Sequence, residues 1–272
     1  KREKPVIVHV CRIPPRKVKE IELVWDRKLM LAMSYDDGTQ PWENLNRGIA
    51  AIDMGEIHGI AAVADTGEAL VVTSRKQRSV KRLRNKKIKE LYQKRSRCKK
   101  GSRKRKQYTC AIARIGSKTD NQQRDILHQM SRKFVAWAND QRVKTAVVGD
   151  VEGVQRNTSR RNKKNLKQKR HCRGLNQKMS QWPFGLLLAY LTYKLAALGI
   201  DLIKIDESYT TQTCPVCGRK KKPSGRIYQC HCGYTCHRDV HGAKNIYAKH
   251  KYGEIRALDW SVENIKYLRP AS

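Results

Sequence analysis

Two cysteine pairs set close together constrain this chain more than any other feature. Cys214-Pro215-Val216-Cys217-Gly218 has the form of a zinc knuckle, with two thiolates on a tight turn and a glycine that lets the backbone approach sulfur. Its partner, Cys230-His231-Cys232-Gly233, follows a basic turn at 220–224. Four thiolates give Zn²⁺ a closed tetrahedral site, which supports folding rather than catalysis because no ligand position is left open. The second pair has one intervening residue where two are usual, so Cys236 or His237 stands as an alternative to one of Cys214, Cys217, Cys230 and Cys232. Other cysteines, such as Cys11 and Cys98, are scattered through basic or mixed segments, which fits a reducing compartment better than a disulfide framework.

Around this insert lies a strongly basic chain. Its 59 Lys and Arg against 24 Asp and Glu give a formal net charge of +35 over 272 residues. Such an excess repels itself in isolation and implies a polyanionic partner whose phosphates release counterions when neutralised. A solvated basic surface or a ribosomal-type RNA binder is the plainer alternative. At 39% hydrophobic residues the chain can still build one large or two modest cores. No apolar run reaches the roughly 18 residues of a membrane span, and no signal peptide opens the chain, so the expectation is a soluble, intracellular protein with no membrane partner. The chain starts at Lys1 without an initiator Met and runs directly into strand-like sequence, so a preceding N-terminal portion is expected.

Short β-rich runs separated by Pro14-Pro15 and by Asp26-Arg27-Lys28 predict the end of a small β-barrel before residue 34, followed by a linker from Asp36-Asp37-Gly38 to Gly48. Residues 49–54, 59–64 and 69–73 then read as a three-stranded antiparallel meander. The stretch 75–106 is nearly all basic and small polar, and Val80, Leu83, Ile88 and Leu91 recur at helical spacing, predicting part helix with a narrow buried stripe. A stronger helix is predicted from about 125 to 141, a buried strand at 145–149, a second acid-free basic stretch at 155–173, a helix at about 182–198, a strand at 200–205 and a last helix at about 239–249. A meander followed by helix, strand, helix, strand, helix is the order of an α/β, RNase H-like fold.

Asp53 lies inside an apolar strand, where a charge needs a partner and a metal is a common one. Asp150 and Glu207 each end a strand, and in an RNase H arrangement those ends lie together. The plainer readings are a turn aspartate at Asp53, solvated strand-end charges at Asp150 and Glu207, and a helix N-cap at Asp239.

Several motifs are recognisable together: Ile52-Asp53-Met54-Gly55, Lys194 in Leu191-Thr192-Tyr193-Lys194, the run from Tyr209-Thr210-Thr211-Gln212-Thr213 into the first knuckle, Cys232-Gly233-Tyr234, and His237-Arg238-Asp239-Val240-His241-Gly242-Ala243-Lys244-Asn245-Ile246. Over about residues 48–249 the chain resembles the TnpB family of insertion-sequence proteins, a pattern shared with type V CRISPR effectors and eukaryotic Fanzor proteins. The resemblance implies part of a β-barrel wedge domain at 1–47, a RuvC-like nuclease domain at 48–208 and 237–272, and an inserted zinc ribbon at 209–236. The recognition lobe that normally interrupts the wedge is absent from this sequence.

The resemblance further implies RNA-guided DNA cutting at a Mg²⁺ site built from an Asp, a Glu and an Asp, falling on Asp53 and Asp239 at its ends. Where the family usually has Glu-Asp after the fourth strand, this chain has Gly149-Asp150, with Glu152 two residues later. Glu207, on the neighbouring strand, is the expected middle ligand, with Asp150 nearby and Glu152 in reserve. Two Mg²⁺ ions would hydrolyse the phosphodiester, and activity should require added Mg²⁺ and fall in acid. A guide noncoding RNA and target DNA are the implied partners, with no small-molecule substrate and a nucleoid-associated, cytoplasmic location. Their phosphates are expected to meet Arg75, Lys76, Arg78, Lys81, Arg82 and Arg84 in the first basic stretch, Arg160, Arg161, Lys163 and Lys164 in the second, and Arg238. Trp182, Tyr190 and Tyr209 could stack on bases, although core positions are the more ordinary reading for the first two. The altered middle carboxylate also leaves room for a nuclease-dead RNA-guided repressor, and transposon origin for a guide-independent nuclease or strand transferase.

Overall fold

The computed structural model describes residues 7, 9–10, 12–14, 16–25, 29–150, 182–223 and 225–270. Glu152 and the second basic stretch, with Arg160, Arg161, Lys163 and Lys164, lie outside the described residues.

The first two strands, β1 (Val18–Trp25) and β2 (Leu29–Tyr35), pair antiparallel as an isolated two-stranded sheet. Where a barrel end is expected, the described residues contain this ribbon alone, with Ile21, Leu23, Trp25 and Leu29 all more than half exposed.

The main sheet begins with β3 (Gly48–Asp53), β4 (His58–Ala64) and β5 (Glu68–Thr73), each antiparallel to the next, as the alternation of apolar runs and turns predicts. Strand β6 (Val143–Asp150) lies parallel to β3, and β7 (Asp201–Asp206) parallel to β6. Beyond β5 the chain adds an unpredicted sixth strand, β10 (Asn264–Leu268), parallel to β5. The full order is β10-β5-β4-β3-β6-β7. Within it Ile265 packs against one core cluster and Leu268 against the other, while Lys266 and Tyr267 stay exposed.

Period-two alternation divides the apolar residues of these strands between two faces. Ile52, Ile60, Leu70, Val72 and Val148 meet two helices, α2 (Arg103–Asp140) and α3 (Phe184–Ala197), through Met130, Phe134, Leu187, Leu191 and Leu195. Ala51, Ala61, Val63, Val71 and Val147 meet the last helix, α4 (Arg238–Tyr252), through Val240, Ala243, Ile246 and Tyr247. The central strands therefore have helices on both faces, and β4 is buried along its whole length.

Helix α2 starts at Arg103, far ahead of the expected 125. The early half is polar and lacks the broad apolar stripe that makes the later half legible, yet no proline interrupts it and Ser102 accepts the Arg105 amide at 3.3 Å to cap it. The basic stretch before it is helical from its start as α1 (Arg75–Ser96), which packs along α2. Arg105 closes the turn between them by donating to the Arg95 and Cys98 carbonyls at 3.2 and 3.4 Å. Trp182 and Tyr190 take their core reading: Trp182 is 3% exposed and stacks on Phe184, while Tyr190 stacks on His128 at the core margin. Among the described residues no helix is long and apolar enough to cross a membrane.

Candidate active site

Asp53 is the last residue of β3, and Glu207 follows β7 directly. Asp239 lies in the first turn of α4, whose N-cap is His237, so it is not itself the capping residue. These three carboxylates, from three separate elements, line one cleft of about 560 Å³ together with Glu56, His58, Thr210, Thr211, Arg226 and Arg238. Asp150 ends β6 opposite Asp206 and is not among the residues lining the cleft, although its charge acts on Glu207.

Two glycines make room for the acids. A Cβ at Gly242 in α4 would overlap the Asp53 carboxylate, coming 3.0 Å from its Cγ. A Cβ at Gly149 would lie 2.8 Å from Glu207 Oε2 and 2.9 Å from its Cβ. Glu207 thus fills the space that a side chain on β6 would need. Neither role is readable from sequence, because each depends on a neighbour that only the sheet brings close.

The electrostatics follow from burial and from crowding of like charge. Burial, then Glu207 and Asp239, push the Asp53 carboxyl well above the usual range. Burial, then Asp150 and Asp206, raise Glu207 to about 7. Asp239 goes the other way: burial would raise it, but the hydrogen bond with His58, with the charges of His58, His237 and Arg238, brings it below the ordinary value. His58 Nδ1 lies 2.5 Å from Asp239 Oδ2, and neither His58 nor His237 was singled out as a partner of this aspartate from sequence. Such an arrangement, three carboxylates around one opening with two of them raised by burial and by neighbouring negative charge, suits a cation more than it suits the bare protein.

The cysteine insert leaves the cleft at Glu207, whose carbonyl accepts the Thr210 amide at 3.1 Å and the Thr210 hydroxyl at 2.9 Å. Two short strands, β8 (Ile227–Gln229) and β9 (Thr235–His237), pair antiparallel in it. The first knuckle turns with Gly218 at φ +69° and its amide on the Cys214 carbonyl at 2.9 Å. In the second, Gly233 at φ +88° donates to the Cys230 carbonyl at 3.2 Å, so the shortened spacing still yields a tight turn. The sulfurs of Cys214, Cys217, Cys230 and Cys232 all lie within 4.8 Å of one another. Cys214–Cys232 is 3.6 Å and Cys217–Cys230 3.5 Å, close to the roughly 3.8 Å edge of a tetrahedron with Zn–S about 2.3 Å. This donor set could hold zinc. Neither alternative ligand joins it: Cys236 packs on the core through β9, and His237 groups with His58 and Asp239.

The ribbon is tied to α4 by a buried polar cluster. Asn245 Nδ2 donates to the carbonyls of Thr210 and Thr213 at 2.7 and 2.9 Å, and His241 stacks on Tyr228. Of the expected nucleic-acid contacts, Arg75, Lys76, Arg78, Lys81, Arg82 and Arg84 occupy the first turns of α1. Arg78 Nε pairs with Glu56 of the cleft wall at 3.0 Å, and burial lowers Lys81 to about 8. Tyr209 is 56% exposed with the Lys220 ammonium 4.0 Å from its ring centre.

Residues 32–155 match the family model OrfB_IS605, described as "Probable transposase", and residues 184–246 match the "Cas12f1-like, TNB domain". A TnpB-like protein of Methanocaldococcus jannaschii is 27% identical over 146 residues, 53% of this chain and 49% of that protein. The CRISPR-associated endodeoxyribonuclease Cas12f1 of Sulfoacidibacillus thermotolerans is 35% identical over 72 residues, 25% of this chain and 17% of that one. The chain thus spans about half, or less, of the length of these relatives. The structure of a CRISPR-Cas12f ternary complex superposes with a TM-score of 0.56 at 16% identity, covering 80% of this chain and 41% of the other. A Cas12f1–sgRNA–target DNA complex gives 0.53 at 14%, covering 80% and 52%. At such low identity these two superpositions establish a shared mixed α/β fold.

Proposed function

Since the chain belongs to the TnpB family, we propose that it is the nuclease portion of an RNA-guided DNA endonuclease of transposon origin, cutting DNA by Mg²⁺-dependent phosphodiester hydrolysis. The observation that carries this reading is the convergence of Asp53, Glu207 and Asp239 on one cleft. The strand order, three antiparallel strands continued by two parallel ones, supports a RuvC-type, RNase H-like domain over 48–208 and 237–272. In the same reading 209–236 is a zinc ribbon and 1–47 the end of a wedge domain. Zinc on the four cysteines is structural, since all four positions are taken by thiolates.

Asp53, Glu207 and Asp239 are the residues that hold Mg²⁺. When bound, two such ions supply the charge that activates an attacking water and steadies the leaving 3′ oxygen. Glu207 serves as the middle carboxylate, because it occupies the room left by Gly149 and lines the cleft, which Asp150 does not. Arg226 and Arg238 in the cleft wall, with the basic face of α1, meet the phosphates of a guide RNA–DNA heteroduplex through its backbone. The exposed Tyr209 ring is available to a base.

The test is to sequence RNA that co-purifies with the protein expressed beside its native flanking DNA, and to assay that complex on a matched target. A discrete RNA running at its 3′ end into variable flanking sequence, with Mg²⁺-dependent cutting of the matching DNA, is expected. Guided binding without cutting would make the protein a repressor, and cutting without RNA a guide-independent nuclease. Equal cutting in EDTA would remove the metal mechanism.

Gly242→Ala tests how tightly the cleft is built. In isolation alanine favours a helix over glycine by about 1 kcal/mol, but here its Cβ displaces the Asp53 carboxylate. Cutting is expected to fall by about 10²-fold, as a misplacement near 1 Å does. Wild-type rates would mean that Asp53 is not a ligand in its observed position.

A pH dependence follows from Glu207. Its folded pKa, about 7, lies above the ordinary 4.5, so its proton stabilises the metal-free fold fully below about 4.5 and that contribution is lost as pH rises through about 7. Asp53, raised as well, acts with the same sign. The Tm of metal-free protein should therefore fall relative to Glu207→Gln across this window, and added Mg²⁺ should stabilise the wild type more above pH 7 than below it. Calorimetry with and without Mg²⁺ measures both.

A further inference from the structure

Beside the three-carboxylate cleft stands a second set of donors. His58 opens β4, His237 ends β9, and Asp239 follows it in α4. One ligand atom from each lies within 4.8 Å of the others. The two imidazole rings face each other at 5.5 Å between centres with 41° between their planes, so they are near without stacking.

A purely supporting role explains only one of the two histidines. His58 meets Asp239 at 2.5 Å and could serve simply to orient its carboxylate. His237 has no comparable partner: its Nδ1 is shielded from solvent and makes no hydrogen bond. Leaving a shielded polar atom without a partner is unfavourable. A cation bound at the cluster would engage one nitrogen of this otherwise unpartnered ring.

Resting on the reading of Asp239 as a metal ligand, we propose that His58, His237 and Asp239 form a mixed imidazole–carboxylate site for a first-row divalent ion such as Mn²⁺, adjoining the carboxylates of Asp53 and Glu207. The chemistry of the donors carries the choice of ion. Mg²⁺ prefers oxygen ligands and keeps much of its water, whereas imidazole nitrogen suits the later first-row divalent metals; Mn²⁺, the weakest binder of that row and at home with oxygen donors, is the most stringent probe of the site. Two nitrogens and one carboxylate oxygen are a poor set for Mg²⁺ alone. The site accordingly discriminates among divalent ions, with His58, which lines the cleft, and His237, which stands beside it, as its specificity-determining residues.

Electron spin-echo measurements on Mn²⁺ added to the full chain, with zinc retained on the cysteines, read the ligands directly through ¹⁴N couplings from coordinated imidazole. Mn²⁺ is expected to bind more tightly than Mg²⁺ in competition and to show nitrogen from two histidines. His58→Ala and His237→Ala should each remove one coupling and weaken Mn²⁺ by at least the roughly 10- to 100-fold that loss of an outer-shell partner costs. Mg²⁺ affinity should change less. In Asp53→Asn/Glu207→Gln the nitrogen couplings should persist, because that variant leaves the histidine set intact. Mn²⁺ bound without any ¹⁴N coupling, or no Mn²⁺ bound at all, overturns the proposal. In the first of those cases Mg²⁺-dependent cutting would still stand. Nitrogen-coupled Mn²⁺ in a protein that cuts no DNA with any metal would instead sustain this site and defeat the nuclease reading.

Discussion

Asp53→Asn is expected to reduce DNA cutting by about 10³-fold or more, the scale on which removing one charge-stabilising group acts, while leaving binding of guide and target intact. Asp53 shares one cleft with Glu207 and Asp239 and ends a strand whose preceding residues Ala50, Ala51 and Ile52 are wholly buried. Without a cation its ionised form is opposed first by burial and then by both neighbours. The neutral amide has nearly the same shape and no charge, so the metal-free variant should melt at a higher temperature than the wild type, and added Mg²⁺ should no longer raise it. Asp239→Asn should lose cutting to the same extent with the opposite effect on metal-free stability. Its folded pKa is depressed, chiefly by His58 and His237 working against burial, so its charge stabilises the fold above the ordinary carboxylate pKa and that contribution is lost as pH falls. The paired readout, rates of cutting beside melting temperatures with and without Mg²⁺, separates loss of a ligand from loss of the fold. If Asp53→Asn cut at the wild-type rate, the cleft would not be the place of chemistry.

The exchange of positions between β6 and β7 sharpens the same test. Glu207 lies where a side chain at 149 would need to be, so Gly149→Glu combined with Glu207→Ala moves the carboxylate from one strand to its neighbour without adding charge. Recovery of cutting above Glu207→Ala alone would tie the role to the location of the carboxylate rather than to its place in the sequence.

Local pattern made much of this molecule legible. The apolar runs at 49–54, 59–64 and 69–73 alternate between two faces, and the sheet uses both alternations, Ile52 and Ile60 toward α2 and α3, Ala51 and Ala61 toward α4. The four cysteines were readable because a tight turn and two thiolates leave their mark within a few residues. What escaped the sequence depends on distance along the chain. His58 and Asp239 are 181 residues apart, and nothing around a single histidine at the start of a strand signals the helix it will touch. Gly242 reads as a weak helix residue until the Asp53 carboxylate is seen against it. The front half of α2 lacks an apolar stripe because it packs along α1 more than in the core, so its polarity hid a continuous helix.

Zinc removal is expected to unfold the ribbon and, through it, to disable a cleft that none of the four cysteines lines. Structural zinc in small thiolate sites binds with about 10–16 kcal/mol, which is folding free energy for the segment that supplies the ligands. The ribbon has little else: two three-residue strands, with Tyr228 its one large fully buried side chain. Its connections to the cleft are direct, since Thr210 bonds the Glu207 carbonyl and Asn245 of α4 holds the carbonyls of Thr210 and Thr213. Once the ribbon melts, those bonds lose their geometry, and Glu207 loses the turn that fixes it at the end of β7. Cys214→Ser and Cys230→Ser should therefore lower zinc content and cutting together, whereas Cys236→Ser should leave zinc content unchanged because its sulfur stands outside the quartet. Hydrogen exchange locates the damage. Amides of β8 and β9 should lose protection on chelation while those of β3 and β4 keep theirs; exchange throughout the sheet would mean that ribbon and core fold as one cooperative unit, and full cutting by zinc-free protein would mean that the cleft does not depend on the ribbon.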